Sequence, residues 1–196
     1  MFTNTHVGQR LKLKKTKIFI LTVLLVSTTA ITSGAYSILH SAGYSGVPAS
    51  IKCYSGFSSG TITAINNSCL AWNLVHDGDL VYKNSKTHSN TKYPYFNEVN
   101  EITKGYRGSN NYLMQTYYIY HSDTTIFEAD IDINVSFPFG TASTSYDTQS
   151  VMTHEVGHLL GLDHSSNSAA NMYYSFNPGE IRGVHQDDIN GINAIY

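Results

Sequence analysis

The sequence predicts an α+β domain, a twisted mixed sheet packed on long helices, and three observations carry that expectation. From Thr61 the apolar positions Ile62, Ile65, Cys69 and Trp72 recur at three, four and three, which is one helical face ending near Asn73. Phe127, Ala129, Ile131, Ile133 and Val135 alternate with Glu128, Asp130, Asp132 and Asn134, the period of a strand with one buried face. A second helix opens after Asp147, a good N-cap, and runs from Thr148 to Gly161, where a residue without Cβ can take a left-handed turn.

The remaining elements follow in chain order. Arg10, Lys12, Lys14, Lys15 and Lys17 precede an uncharged stretch from Ile18 to Ile31, and Ser33-Gly34-Ala35 closes it with small residues. A basic region, a short apolar region and a small-x-small exit describe a secretory signal over residues 1–35, with an uncleaved anchor as the alternative. The apolar run falls short of the ~20 residues of a membrane span. The expected location is therefore secreted, or membrane-anchored and facing outside, with the membrane met only through this segment. Residues 36–46 read as a short propeptide or N-terminal extension, and 47–196 as one domain.

IKCYSGF, residues 51–57, has strand character and runs into a Ser-Ser-Gly turn signal. Cys53 and Cys69, the only cysteines, would then join this strand to the first helix. In an oxidising compartment they form one disulfide, worth roughly 3 kcal/mol, the alternative being two buried thiols. LVYK at 80–83 gives a second strand, and residues 84–111 are polar and turn-rich. YLMQTYYIYH at 112–121 is rich in β-formers. The acidic positions Asp130 and Asp132 are the candidates for calcium, since hard oxygen ligands suit that ion; a solvated strand face is the alternative. Ile189, Ile192 and Ile195 suggest a docked terminal helix.

With 12 Lys and Arg against 14 Asp and Glu, the 196-residue chain has a formal net charge of -2. It lacks the basic face of an electrostatic nucleic-acid binder. The chemistry is concentrated in MTHEVGHLLGLDHSS, residues 152–166. On a helix, His154 and His158 lie one turn apart on one face and can ligate one zinc ion. Glu155 lies about 100° round the helix from His154, near enough to reach a metal-bound water but angled away from ligation. Gly161 lets the chain fold back to bring in His164 as third ligand, which leaves a fourth position open, as in a catalytic zinc site. Such a centre hydrolyses peptide bonds through the zinc-bound water, with Glu155 as general base. Leu159, Leu160 and Leu162 supply apolar packing around it.

The pattern H-E-x-x-H-x-x-G-x-x-H followed by a later Met-turn is the metzincin motif. Ser165 directly follows the third histidine and Asn171-Met172-Tyr173 stands at the Met-turn, so the segment resembles the matrixins, in their small microbial form. YDTQSVMTHEVGHLLGLDHS and HQDDINGINAIY are both similar to matrixin sequences. The resemblance implies a metzincin-like fold, one catalytic zinc, and a monomeric endopeptidase whose substrates are proteins or peptides. It implies Met172 as the hydrophobic floor beneath the metal. It also implies an apolar S1′ pocket for a hydrophobic P1′ side chain, to which Leu159, Tyr173, Tyr174 and Phe176 contribute. By the same resemblance a substrate pairs with an edge strand within residues 112–121.

The chain departs from that family in three places. Tyr174-Ser175-Phe176 stands where matrixins commonly carry Pro-x-Tyr, no PRCGxPD latency segment is present, and no loop matches the one that holds a structural second zinc. His76, His88, His121 and His185 have no assigned role. Two further readings compete: a non-catalytic zinc-binding surface protein, which would have no need of Glu155, and a hydrolase for non-peptide substrates on the same fold.

Overall fold

The computed structural model describes residues 35–108, 112–121 and 125–196, with the backbone of Phe19–Ile20. The expected signal or anchor segment otherwise lies outside these residues. Among the described residues no helix is long and apolar enough to cross a membrane.

The strands are β1 (Phe19–Ile20), β2 (Ser37–Ile38), β3 (Ala49–Tyr54), β4 (Val81–His88), β5 (Asn100–Gly105), β6 (Met114–Tyr120), β7 (Ile126–Asn134) and β8 (Leu162–Asp163). The helices are α1 (Ser59–Asn73), α2 (Thr148–Leu159) and α3 (Gln186–Ile195). The main sheet has the order β1-β6-β7-β5-β3-β4. β3, β4, β5 and β7 pair in parallel, whereas β6 runs antiparallel to β7. The expected α+β class is the observed one.

In β3 the inward residues Ala49, Ile51 and Cys53 alternate with half-buried ones, as a pleated strand requires. Ser58 caps α1 by accepting from Thr61 N. The helix buries Ile65, Ser68, Cys69 and Trp72, at three- and four-residue spacing. That face packs on α2, where Trp72 Nε1 donates to Thr153 O at 2.9 Å and Ser68 Oγ donates to Gln149 O at 3.1 Å. Residues 36–46 are integrated into this frame. β2 pairs with β8, and Leu39 N and His40 N both donate to Gly161 O.

Two sequence expectations are corrected. The cysteines are free thiols, not a disulfide. Cys53 and Cys69 are buried between β3 and α1, and burial pushes their thiol pKa values up to about 11 and about 12. The acidic side of β7 is buried rather than solvated, because the chain between β4 and β6 folds over it. Asn97 N and Glu98 N donate to Glu128 at 2.6 and 2.9 Å, and Tyr95 N and Glu101 N to Asp130 at 2.7 and 2.9 Å. Arg107 forks onto Asp132 through Nε and Nη2, both at 2.8 Å, and Thr103 Oγ1 donates to the same carboxylate. Asp130 and Asp132, the calcium candidates, therefore face N–H donors and a guanidinium, which repel a cation. Alternation predicts a strand with one dry face; it cannot show that a distant loop dries the other.

Candidate metal centre

Asp147 starts the site. Its carboxylate accepts from Ser150 N at 2.7 Å, and the helix it caps carries His154, Glu155 and His158 on the side facing β6. Gly161, at φ +103°, ends the helix as expected, and its amide donates to His158 O. A side chain there would be strained by the backbone angle, and its Cβ would lie 2.8 Å from His40 O. The turn leads into β8, whose pairing with β2 fixes the approach of His164.

The three histidines converge, with one ring nitrogen of each within 4.8 Å of the others. His154 Nδ1 stands 2.8 Å from Asn171 O, and His158 Nδ1 stands 2.8 Å from Leu162 O. A carbonyl only accepts, so both Nδ1 atoms carry the proton and both Nε2 atoms present lone pairs. Those two Nε2 atoms lie 3.1 Å apart. Lone pairs at that distance repel unless an electrophile sits between them. Zinc–nitrogen bonds of about 2.0–2.1 Å at a tetrahedral angle would put two ligand nitrogens about 3.3 Å apart, so the donor set fits zinc. Burial lowers the pKa of His154 well below its ordinary value, and the neighbouring His158 and His164 lower it further. Burial, with His164 beside it, brings His158 to about 4. Both rings are thus neutral at pH 7, the ligating form. His164 is the exposed member.

Glu155 is 5% exposed. Burial pushes its carboxyl up to about 7, against the opposing hydrogen bond from Thr116. Thr116 Oγ1 lies 2.7 Å from Glu155 Oε2 and 3.0 Å from Glu155 O, so β6 holds the carboxylate in place. Met172 is buried under the ligand helix, where a Cβ built on Gly157 would come within 2.4 Å of its Sδ. That close approach is the reason a glycine stands between the two helical ligands. Asp188 fixes the Met-turn by accepting from Asn171 N at 2.8 Å and Met172 N at 3.0 Å.

A cleft of about 720 Å³ opens beside the histidines. Its walls include Met114 and Thr116 of β6, Val151 of α2, Tyr146, Tyr174 and Phe176. Two of the expected pocket residues are elsewhere. Leu159 is fully buried on the core side of α2, and Tyr173 packs on Tyr174, ring centroids 4.5 Å apart, without lining the cleft itself. Helical geometry explains the first: Leu159 follows His158 by about 100°, which takes it off the ligand face. The roles of Thr116, Asn171 and Asp188 were not read from the sequence, because they depend on contacts 16 to 39 residues away. His185, unassigned from sequence, caps α3 in a reciprocal pair with Asp188.

Three neutral imidazoles around one point, with a buried carboxylate next to them and an open cleft, form a group that could hold one metal ion. The chain belongs to the matrixin family, whose family model matches residues 63–196. It is 50% identical over 56 residues to Metalloendoproteinase 1 of Glycine max, covering 28% of this chain and 18% of that protein. It is 48% identical over 56 residues to neutrophil collagenase of Homo sapiens, covering 28% of this chain and 12% of that one. Metalloendoproteinase 1-MMP of Arabidopsis thaliana is 43% identical over 58 residues, 29% of this chain and 16% of the relative. The chain thus matches less than a fifth of the length of each of these relatives.

Proposed function

We propose that this chain is an exported zinc-dependent endopeptidase that cleaves before hydrophobic residues. The observation that carries the reading is the facing pair of Nε2 lone pairs, 3.1 Å apart, beside a buried carboxylate in an open cleft. His154, His158 and His164 hold the metal. When bound, zinc supplies the Lewis acidity that polarises a peptide carbonyl and acidifies water.

The protein's own groups do the rest. Glu155, oriented by Thr116, takes a proton from the attacking water on its carboxylate and returns it to the departing amine. A carboxyl pKa near neutrality suits both transfers. β6 is paired with β7 along one side and with β1 only at Ile119 and Tyr120 on the other, and its Met114, Gln115, Thr116 and Tyr118 border the cleft, so an extended peptide adds beside Met114–Tyr118 as a further strand. The apolar walls favour a leucine-sized or aromatic side chain, whose burial is worth roughly 1.5–3 kcal/mol. Export is supported by the basic-then-apolar sequence of residues 10–31.

A peptide-library digest of the purified chain, with and without chelator, tests this reading. Cleavage should stop on chelation, return with zinc, and fall before Leu, Ile, Met or aromatic residues. Undiminished hydrolysis by metal-free protein would overturn the zinc chemistry. Cleavage mainly before Asp or Lys would overturn the pocket alone.

A further inference from the structure

Arg182 is a buried cation for which the hydrolytic chemistry has no use. Its side chain is 8% exposed, yet its donors are divided between two backbone carbonyls and one neighbouring carboxylate. Nη2 donates to Ser175 O at 2.9 Å, and Nη1 donates to Tyr173 O at 3.4 Å. Nε donates to Glu180 Oε1 at 3.0 Å, and Nη2 reaches the same oxygen. Its main chain is pinned as well: the amide donates to Ser150 Oγ at 2.8 Å, and the carbonyl accepts from Asn171 Nδ2 at 3.1 Å. The guanidinium then lies over the ring of Phe176, with Cζ 4.4 Å from its centroid.

Phe176 meets the ligand His154 edge to face, centroids 5.6 Å apart, and lines the cleft with Tyr174 and Ser175. The ring is held between a fixed guanidinium and a fixed imidazole. Residues 173–177 contain no proline to stiffen them, so their shape comes from Arg182. We propose that Arg182 is the positioning residue that sets side-chain selectivity: it fixes Phe176 as a wall and so limits the size of the residue accepted after the scissile bond. This rests on the peptidase reading above. A lysine cannot replace it, because one ammonium cannot both fork onto two carbonyls and lie flat on a ring.

The test is a competition between two peptides that differ only in Leu or Trp after the cleaved bond, digested together. The ratio of their kcat/KM values does not depend on how much of a variant is folded. Arg182→Lys should raise the Trp-to-Leu ratio at least about fivefold, the scale of one altered pocket contact. In a Phe176→Ala background the same change should leave the ratio unmoved, which a general structural role would not predict. Glu180→Gln, at a half-buried site, should shift the ratio in the same direction by less, and decides the matter if Arg182→Lys does not fold. An unchanged ratio in the folded variants overturns the role of Arg182 while the zinc-dependent cleavage stands. No cleavage by the zinc-loaded parent protein overturns the peptidase reading itself.

Discussion

Replacing Gly157 by alanine tests how closely the ligand helix is built against the Met-turn. A Cβ at this position would sit 2.4 Å from Met172 Sδ, 2.8 Å from Trp72 Cζ2 and 3.2 Å from Met172 Cε. Methionine is adaptable and can move. Trp72 cannot, since it is fully buried and tied by its indole N–H to Thr153 O. Overpacking a tight core costs about 1–3 kcal/mol, whereas alanine gains up to about 1 kcal/mol over glycine inside a helix. Because Trp72 cannot yield, the cost falls in the upper part of that range and the clash wins, by about 1–2 kcal/mol. For a domain of this size that is a fall of about 2–8 °C in Tm. Met172 must also shift against the helix that carries His154 and His158, so zinc affinity should drop with it. Calorimetry of the zinc-loaded and metal-free proteins reads the first effect, and competition with a chromogenic chelator reads the second. Gly60→Ala, in open surroundings in the first turn of α1, is the control in which propensity acts alone and stability should not fall. If Gly157→Ala melts higher than the parent, propensity outweighs packing and the reasoning about the Met-turn is wrong.

Three further outcomes follow from the same geometry. Glu155→Gln should keep zinc, because all three histidines survive, while turnover falls at least about 10²-fold; loss of metal measured by atomic absorption would make Glu155 structural. Cys53 and Cys69 should resist alkylation in the native protein and both react once it is denatured without reductant; intact mass showing no adducts under denaturing conditions would mean they are bonded. Asp130, pushed up to about 7 by burial against its backbone N–H bonds, binds a proton more tightly folded than unfolded, where its pKa is about 3.9. Its contribution to stability is therefore full below pH ~4 and is lost as pH rises to about 7. Asp130→Asn should flatten that part of the profile in urea melts, and an unchanged slope would refute it.

What the sequence made legible was local. His154, Glu155, His158, Gly161 and His164 span eleven positions, so one helix and the glycine turn that ends it assemble them. Asp147 and the faces of α1 and α2 were readable for the same reason: caps and periodicities act within one turn. The misses have another origin. Thr116 reaches Glu155 across 39 residues, and the carbonyl of Asn171 reaches His154 across 17. The family resemblance places Leu159 in the cleft, whereas the helix turns it into the core.

The buried acids of β7 show the deeper limit. Glu128, Asp130 and Asp132 stand at alternate positions, which in isolation predicts a wet face. Their carboxylates instead answer donors from the chain between β4 and β6: Glu128 and Asp130 take N–H groups of the irregular stretch at 95–98 and of Glu101 in β5, and Asp132 takes Thr103 of β5 and Arg107 just after it. Backbone N–H groups in an irregular segment need acceptors when buried, and carboxylates are the strongest available. Polar residues of β7 thus fix the irregular stretch before β5, while strand pairing to β7 holds β5 and β6 in register. The same logic places Arg182 in the wall after Met172, where a buried cation answers backbone carbonyls instead of N–H groups. In both places a charged side chain shapes a segment that lacks secondary structure of its own. A charge that pattern reading assigns to solvent or to a metal is, in this fold, a partner for the main chain.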